Sequence, residues 1–290
     1  MDVTMALFLL RYAEMGLKSE KVRNRFQRSL VENIENHFVK LNTECLVSWD
    51  RGRIFVMTDN TDSALKVFSH TFGIVSYSEA TEAEVELEPL LKGVVSYASG
   101  RLARGKSFAI RARRSGQQKY TSMELARKAG EAILDGFAEL GLTVDLEEPD
   151  VEIFVEAREK GAYIYSEMET GPGGLPLGTQ GTVLCHVVRR EDILAAWLMM
   201  RRGCSVIIAT GNRESASPLV AWDPEIKFVE AHPGTDLHAL ARQNGCKGIS
   251  FATEYSDIAS TAEPKDGLAL FYSLTGLIQD ERKRLLDKVL

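Results

Sequence analysis

Gly171-Pro172-Gly173-Gly174-Leu175-Pro176-Leu177-Gly178-Thr179-Gln180-Gly181 is the clearest punctuation in the chain, and the fold reads differently on its two sides. Downstream, strand-like runs at 182–188, 205–210, 226–230, 248–252 and 268–271 are interleaved with helical patterns at 191–202, 235–244 and 279–290. Strands separated by helices imply parallel pairing in a three-layer α/β domain. Upstream, the run 3–10 is followed by Val22, Phe26, Leu30, Ile34 and Phe38, spaced by four as on one helix face. Strands near Leu46 and at 53–57, a helix at 62–70 and a strand at 73–77 complete a β-α-β-β-α-β order, that of a ferredoxin-like unit. Between these two parts lies a separate α/β unit. It has a helix at 89–98, a strand at 107–113, a helix opened by the capping pair Thr121 and Glu124 and stopped by Gly141, and strands at 151–156 and 162–166. The expected domains are therefore 1–77, 78–168 and 169–290.

Composition agrees with this division. At roughly 150 residues per domain, 290 residues make about two domains or three small ones, and 44% apolar content is enough for several cores. The uncharged stretch 170–188 is broken by Pro172, Pro176 and five glycines, so it cannot form a membrane-spanning helix. The run 3–10 lacks a basic leader and ends at Arg11, so it reads as a buried strand rather than a secretion signal. A cytoplasmic chain with no membrane partner is expected. Cys45, Cys185, Cys204 and Cys246 have no paired spacing, which argues against a disulfide framework or a zinc site. The net charge of −6 does not announce a nucleic-acid binder, but it hides segregation of sign along the chain.

Two stretches are strongly basic. Lys21, Arg25 and Arg28 fall at i, i+4 and i+7, a stripe away from Phe26 and Leu30, with Lys18 nearby. In Phe108-Ala109-Ile110-Arg111-Ala112-Arg113-Arg114, period-2 alternation separates Phe108 and Ile110 from Arg111 and Arg113, and Arg101, Arg104, Lys106 and Lys119 flank the run. Guanidinium forks beside the capped start of a helix can hold a phosphate backbone, and Tyr120 offers a stacking ring. Either stretch also reads as plain solvated surface. His232 and His238 lie within seven residues of each other but do not converge as metal ligands. Thr235 reads as a helix cap instead, and His238 as a surface helix residue.

The resemblance becomes specific at Arg11-Tyr12-Ala13-Glu14-Met15-Gly16-Leu17-Lys18, Gly73-Ile74-Val75-Ser76, the 108–114 strand with Ser122-Met123-Glu124, Pro149-Asp150-Val151, and the 171–181 segment. In this order they resemble the tRNA 4-thiouridine synthetase (ThiI) family, from the N-terminus to about Gly203. The resemblance implies a ferredoxin-like domain, a THUMP tRNA-binding domain and a PP-loop ATP-pyrophosphatase domain. It also implies that the first two grip the tRNA acceptor stem while the third adenylates uridine 8. The family's Ser-Gly-Gly-Ile-Asp-Ser loop falls on Val187-Val188-Arg189-Arg190-Glu191-Asp192, ahead of the matching helix Ala195-Ala196-Trp197-Leu198-Met199-Met200-Arg201-Arg202-Gly203. Both glycines are gone, so the bare backbone that would wrap phosphates is lost. The family's late cysteine has no counterpart beyond Cys246.

The expectation is an RNA-binding relative with a shortened, degenerate PP-loop-like domain, no cofactor and no adenylation or sulfur transfer of its own. Its third domain is left as packing support, a contact with a second copy, or a docking surface for a separate tRNA-modifying enzyme. The alternative is an active, ATP-dependent tRNA sulfurtransferase with a rebuilt nucleotide site. A scaffold without RNA contact is the third reading, and it requires Arg111 and Arg113 to be paired with carboxylates from 82–88 or 145–152.

Overall fold

The computed structural model describes residues 5–12, 19–50, 52–253 and 267–290. The fold is mixed α/β throughout. The first segment runs β1 (Ala6–Tyr12), α1 (Glu20–Lys40), β2 (Leu46–Asp50), β3 (Arg53–Thr58), α2 (Thr61–His70) and β4 (Ile74–Ala83), with strands ordered β2-β3-β1-β4 as in a ferredoxin-like unit. Phe26, Leu30, Ile34 and Phe38 are all buried on α1, as their spacing requires. Strand β4 is longer than the sequence suggests, since Ser76, Ser78 and Ala80 alternate inward and carry it past Tyr77.

The middle segment contains α3 (Leu87–Ala98), β5 (Ser107–Arg114), α4 (Ser122–Gly136), β6 (Thr143–Val144), β7 (Val151–Ala157), β8 (Ala162–Tyr165) and β9 (Glu169–Thr170). Strands run β4-β8-β7-β5-β6, with β5 and β7 parallel and β7 and β8 antiparallel. The end of β4 pairs with β8, Thr81 facing Ile164. Phe108 and Ile110 enter a core with Leu125, Ala129 and Ile133 of α4, as alternation predicts. Thr121 Oγ1 accepts from the Glu124 amide at 3.1 Å, but α4 ends at Gly136 rather than at Gly141, which caps a short 3₁₀ turn (Ala138–Leu140) with a left-handed φ of 59°.

The last segment is β10 (Thr182–His186), α5 (Arg190–Arg201), β11 (Ser205–Thr210), β12 (Lys227–Glu230), α6 (Leu237–Gln243), β13 (Gly248–Phe251), β14 (Ala269–Tyr272) and α7 (Gln279–Val289). Its sheet is parallel in the order β12-β11-β10-β13-β14. Both faces are covered. Val183, Cys185, Val206 and Ile208 pack on the side of α5, while Leu184, Ile207 and Ile249 pack on the side of α6. Three layers follow, and such strands read as unbroken apolar runs. The cap of α6 is Asp236, whose carboxylate accepts from His238 and Ala239, rather than Thr235, which accepts from the His232 amide. His238 is half-buried rather than a surface residue, and a 3₁₀ run at Glu214–Ala221 went unforeseen because Pro218 breaks any helical period.

The chain forms two compact units: Met1–Leu9, Phe55–Met57 and Tyr77–Glu169 make one, and Leu10–Ile54, Thr58–Ser76 and Thr170–Leu290 the other. In the second unit Phe72 stacks on Trp222 with ring centroids 5.0 Å apart and meets Trp197 edge-on at 5.5 Å. The segment 171–181 is a packed strap here, not a loose linker. Gly171 donates to the Val75 carbonyl at 2.8 Å, Gly173 to Ile74 at 2.8 Å, and Leu175 to Arg201 at 3.0 Å. A Cβ on Gly171 would stand 2.4 Å from the Ile74 carbonyl oxygen, so only glycine fits there. No described helix is long and apolar enough to cross a membrane.

His37 is buried in the same unit, hydrogen-bonded to the backbone of Trp222. Burial and, second, the charge of His70 lower its pKa from the ordinary 6.5 to about 4. The unfolded chain therefore takes up this proton at a higher pH than the folded one. The contribution is full above pH 6.5 and is lost as the pH falls toward 4, by about 2 to 3 kcal/mol. Urea unfolding at pH 7.5 and 4.5 should show that loss in the native chain, over and above the change in His37→Leu; equal losses in both would refute it.

Candidate nucleic-acid interface

The basic residues around β5 divide into two groups because the strand itself separates them. Seven residues at roughly 3.3 Å each put Lys106 and Arg113 at opposite ends. At the first end, Arg101 packs over the Tyr97 ring at 3.9 Å and donates to the Tyr97 carbonyl, and Arg104 donates to the Glu139 carbonyl. Lys106 pairs with Asp150 at 2.8 Å. Lys106 and Ser107 hold the Asp150 carboxyl down at about 2, so Asp150 is a carboxylate at neutral pH. This end is therefore largely occupied by the protein's own acceptors.

Mid-strand, Arg111 Nε meets Glu152 at 2.7 Å, and its Nη2 donates to the Leu146 carbonyl at 2.8 Å. The scaffold reading required this pairing for Arg111, but Arg113 does not follow. Its cross-strand neighbour Glu156 is already bound by the buried Arg158 at 2.5 Å, and Arg113 is exposed without a carboxylate partner among the described residues. Arg114 is also exposed and braces the 115–119 turn by donating to the Gly116 and Gln118 carbonyls. Lys119 is exposed beside the Thr121 cap. Arg114 and Lys119 thus lie at the second end, toward the start of α4 with its positive dipole, while alternation turns Arg113 at that same end to the opposite face of the sheet.

Tyr120 corrects the sequence expectation. Its ring is 6% exposed in the core, and its hydroxyl donates to the Val85 carbonyl at 2.5 Å, so no base can stack on it. On α1, Lys21, Arg25 and Arg28 form the exposed stripe that their spacing predicts, and Arg25 Nη2 reaches the Thr179 carbonyl at 3.4 Å. Lys18 lies outside the described residues.

The turn from β10 to α5 has an unexpected occupant. Asp192 Oδ2 accepts from the Val188 amide at 3.0 Å and from the Arg189 amide at 2.7 Å, and Asp192 is only 8% exposed. The backbone donors that would face a phosphate are bonded to a carboxylate of the helix itself. In the sequence this internal anion is marked only by spacing: Asp192 stands three residues after Arg189, the N3 position of a capping pair. At the carboxyl ends of β10 and β13, where strand order reverses, a crevice of about 610 Å³ is lined by Arg189, Arg190, Arg282 and Lys283 together with Glu191 and Asp287.

Thiol chemistry has little foothold. Cys185, Cys204 and Cys246 are buried, and burial pushes each thiol up. Burial and then the charge of Glu35 raise Cys45 to about 11. Each is a protonated thiol at neutral pH rather than a nucleophile. No cluster of metal-ligating side chains occurs among the described residues.

Residues 7–78 match the ThiI ferredoxin-like domain and residues 85–167 the THUMP domain. The probable tRNA sulfurtransferase of Methanobrevibacter smithii is 41% identical over 205 residues, covering 69% of this chain and 52% of that protein. That of Methanosarcina acetivorans is 39% identical over 261 residues, 82% of this chain and 63% of the relative. The chain thus spans about half to two-thirds of the length of these relatives. The crystal structure of PH1313 from Pyrococcus horikoshii superposes with a TM-score of 0.84 at 28% identity over 98% of this chain and 99% of that one. A 4-thiouridine synthetase solved with RNA and ATP has the same fold at 18% identity, with a TM-score of 0.76 over 99% of this chain and 85% of that one, its C-terminal α/β domain included. With a ThiI ferredoxin-like domain joined to a THUMP domain, and with these relatives, the chain belongs to the ThiI family.

Proposed function

We propose that the chain binds tRNA at its acceptor stem, in the cytoplasm, and does not adenylate it. Under this reading residues 1–77, 78–168 and 169–290 act as ferredoxin-like, THUMP and degenerate PP-loop-like domains. The observation that carries RNA binding is the set of exposed cations Arg113, Arg114 and Lys119 at one end of β5 in the THUMP segment, unpaired by carboxylates among the described residues. Arg101, Arg104, Lys106 and Arg111 are held by protein groups and contribute less. The observation against adenylation is Asp192, which fills the turn that would cradle pyrophosphate. A second copy or a separate tRNA-modifying enzyme remains the candidate partner for the third domain.

The alternative, an active tRNA sulfurtransferase, is favoured by the cation-lined crevice at the switch point and by the names of the relatives. Unmodified tRNA incubated with the chain, ATP and a sulfur donor separates the two, because a near-ultraviolet thiouridine band appears only under the alternative.

Arg113→Ala should weaken tRNA binding and flatten the log–log salt dependence by roughly 0.7 to 0.9, one phosphate contact. Arg111→Ala should change the slope by less than half as much, because Glu152 already neutralises it. Equal slopes for both variants and the native chain would remove β5 from the interface. Calorimetry with ATP and magnesium should show no saturable heat up to millimolar nucleotide; micromolar binding abolished by Arg189→Ala would overturn the non-adenylating reading. Asp192→Ala strips two amides of their acceptor and should cost about 1 to 3 kcal/mol in urea unfolding; an unchanged midpoint would mean the carboxylate is dispensable to the turn.

A further inference from the structure

The Gly-rich strap brings two remote cationic elements together within the second compact unit. Arg25 of α1 donates to the Thr179 carbonyl at 3.4 Å. The Arg202–Gly203 turn lies against the same residue: a Cβ on Gly203 would stand 2.6 Å from Thr179 Oγ1, and the Gln180 amide donates to the Gly203 carbonyl at 3.0 Å. One residue further, a Cβ on Gly181 would meet the Lys247 side chain at 3.7 Å, and the Lys247 amide donates to the Thr182 carbonyl at 2.8 Å. Lys21, Arg25, Arg28, Arg202 and Lys247 are all exposed, and none has a carboxylate within ion-pair distance among the described residues. Glu20 and Glu32 stand at the two ends of the helix stripe, and Asp223 and Glu225 line the cavity that Gly178 and Thr182 also border.

We propose that these residues form a phosphate track for RNA, running from the α1 stripe across 179–181 to Arg202 and Lys247. The inference rests on the tRNA-binding reading and extends it to the C-terminal segment. Three physical points favour an RNA backbone. The cations are unneutralised, unlike Lys106 and Arg111. They are strung out rather than clustered, since Lys21 to Arg28 alone spans about 10 Å of helix at roughly 1.5 Å per residue. No large apolar side chain is exposed on 21–28, 178–181, 202 or 247, whereas an amphipathic membrane contact or the core of a protein interface needs one. The track binds by charge and carries no base readout.

The test is fluorescence anisotropy of a labelled, unmodified tRNA transcript with the full chain, titrated from 0.05 to 0.3 M potassium chloride. Arg202→Gln combined with Lys247→Gln should lower the salt slope by roughly 1.4 to 1.8 and weaken binding roughly tenfold at 0.15 M, with an unchanged melting temperature. Arg25→Gln should act in the same direction with about half the change in slope. If the native chain binds tRNA while these variants match it in affinity and slope, the track is wrong and the tRNA-binding reading stands. If the native chain fails to bind tRNA even at 0.05 M salt, that reading fails first and the track with it.

Discussion

Phe72 is the residue on which the second compact unit depends. It leaves α2 of the ferredoxin-like segment and is fully buried among Trp197 of α5 and Trp222, whose rings meet edge-on at 5.3 Å. Truncating a buried aromatic of this size costs about 3 to 5 kcal/mol in a core, a large part of a typical stability. The strap adds direction to this apolar contact. Its amides bond β4 on one side and the end of α5 on the other, so the first α-helix and the C-terminal sheet share one packing unit although they lie far apart in sequence.

Much of this was legible in the amino-acid order. The spacing of four in Val22 to Phe38, the capping pair Thr121 and Glu124, and the all-apolar strands of the last segment each report a local rule that tertiary packing did not override. What stayed hidden was contact between distant residues. A Gly/Pro-rich run has the composition of a linker, and nothing local says that Gly171 and Gly174 are glycines because Ile74 and Arg201 carbonyls press against them. The continuation of β4 past Tyr77 depended on a partner, β8, about eighty positions away.

The candidate site was legible in kind but not in detail. Alternation found the arginine face of β5, yet pairing sorts that face into residues with different uses. Arg111 and Lys106 have acceptors within 2.8 Å, whereas Arg113 has no carboxylate partner among the described residues, its cross-strand neighbour Glu156 being held by Arg158. Tyr120 illustrates the same limit: an aromatic beside a basic strand is as compatible with a core anchor as with a stacking platform, and only the Val85 carbonyl decides.

Asp192 gives the C-terminal segment its physical logic. A strand-to-helix turn leaves several amides unsatisfied, and a turn built for phosphate keeps them waiting for an external anion. Here the anion is covalently part of α5, bonded to two consecutive amides and nearly excluded from water. An internal carboxylate has no concentration dependence, so the turn is stable in the absence of any ligand. The same bonds leave the side chains of Arg189 and Arg190 pointing outward, exposed, with only loose carboxylate contacts at 3.6 and 4.0 Å. A turn that has satisfied its backbone internally can offer an anion only side-chain charge. An anion arriving at this turn would therefore meet guanidinium groups, with the Val188 and Arg189 amides already committed to Asp192.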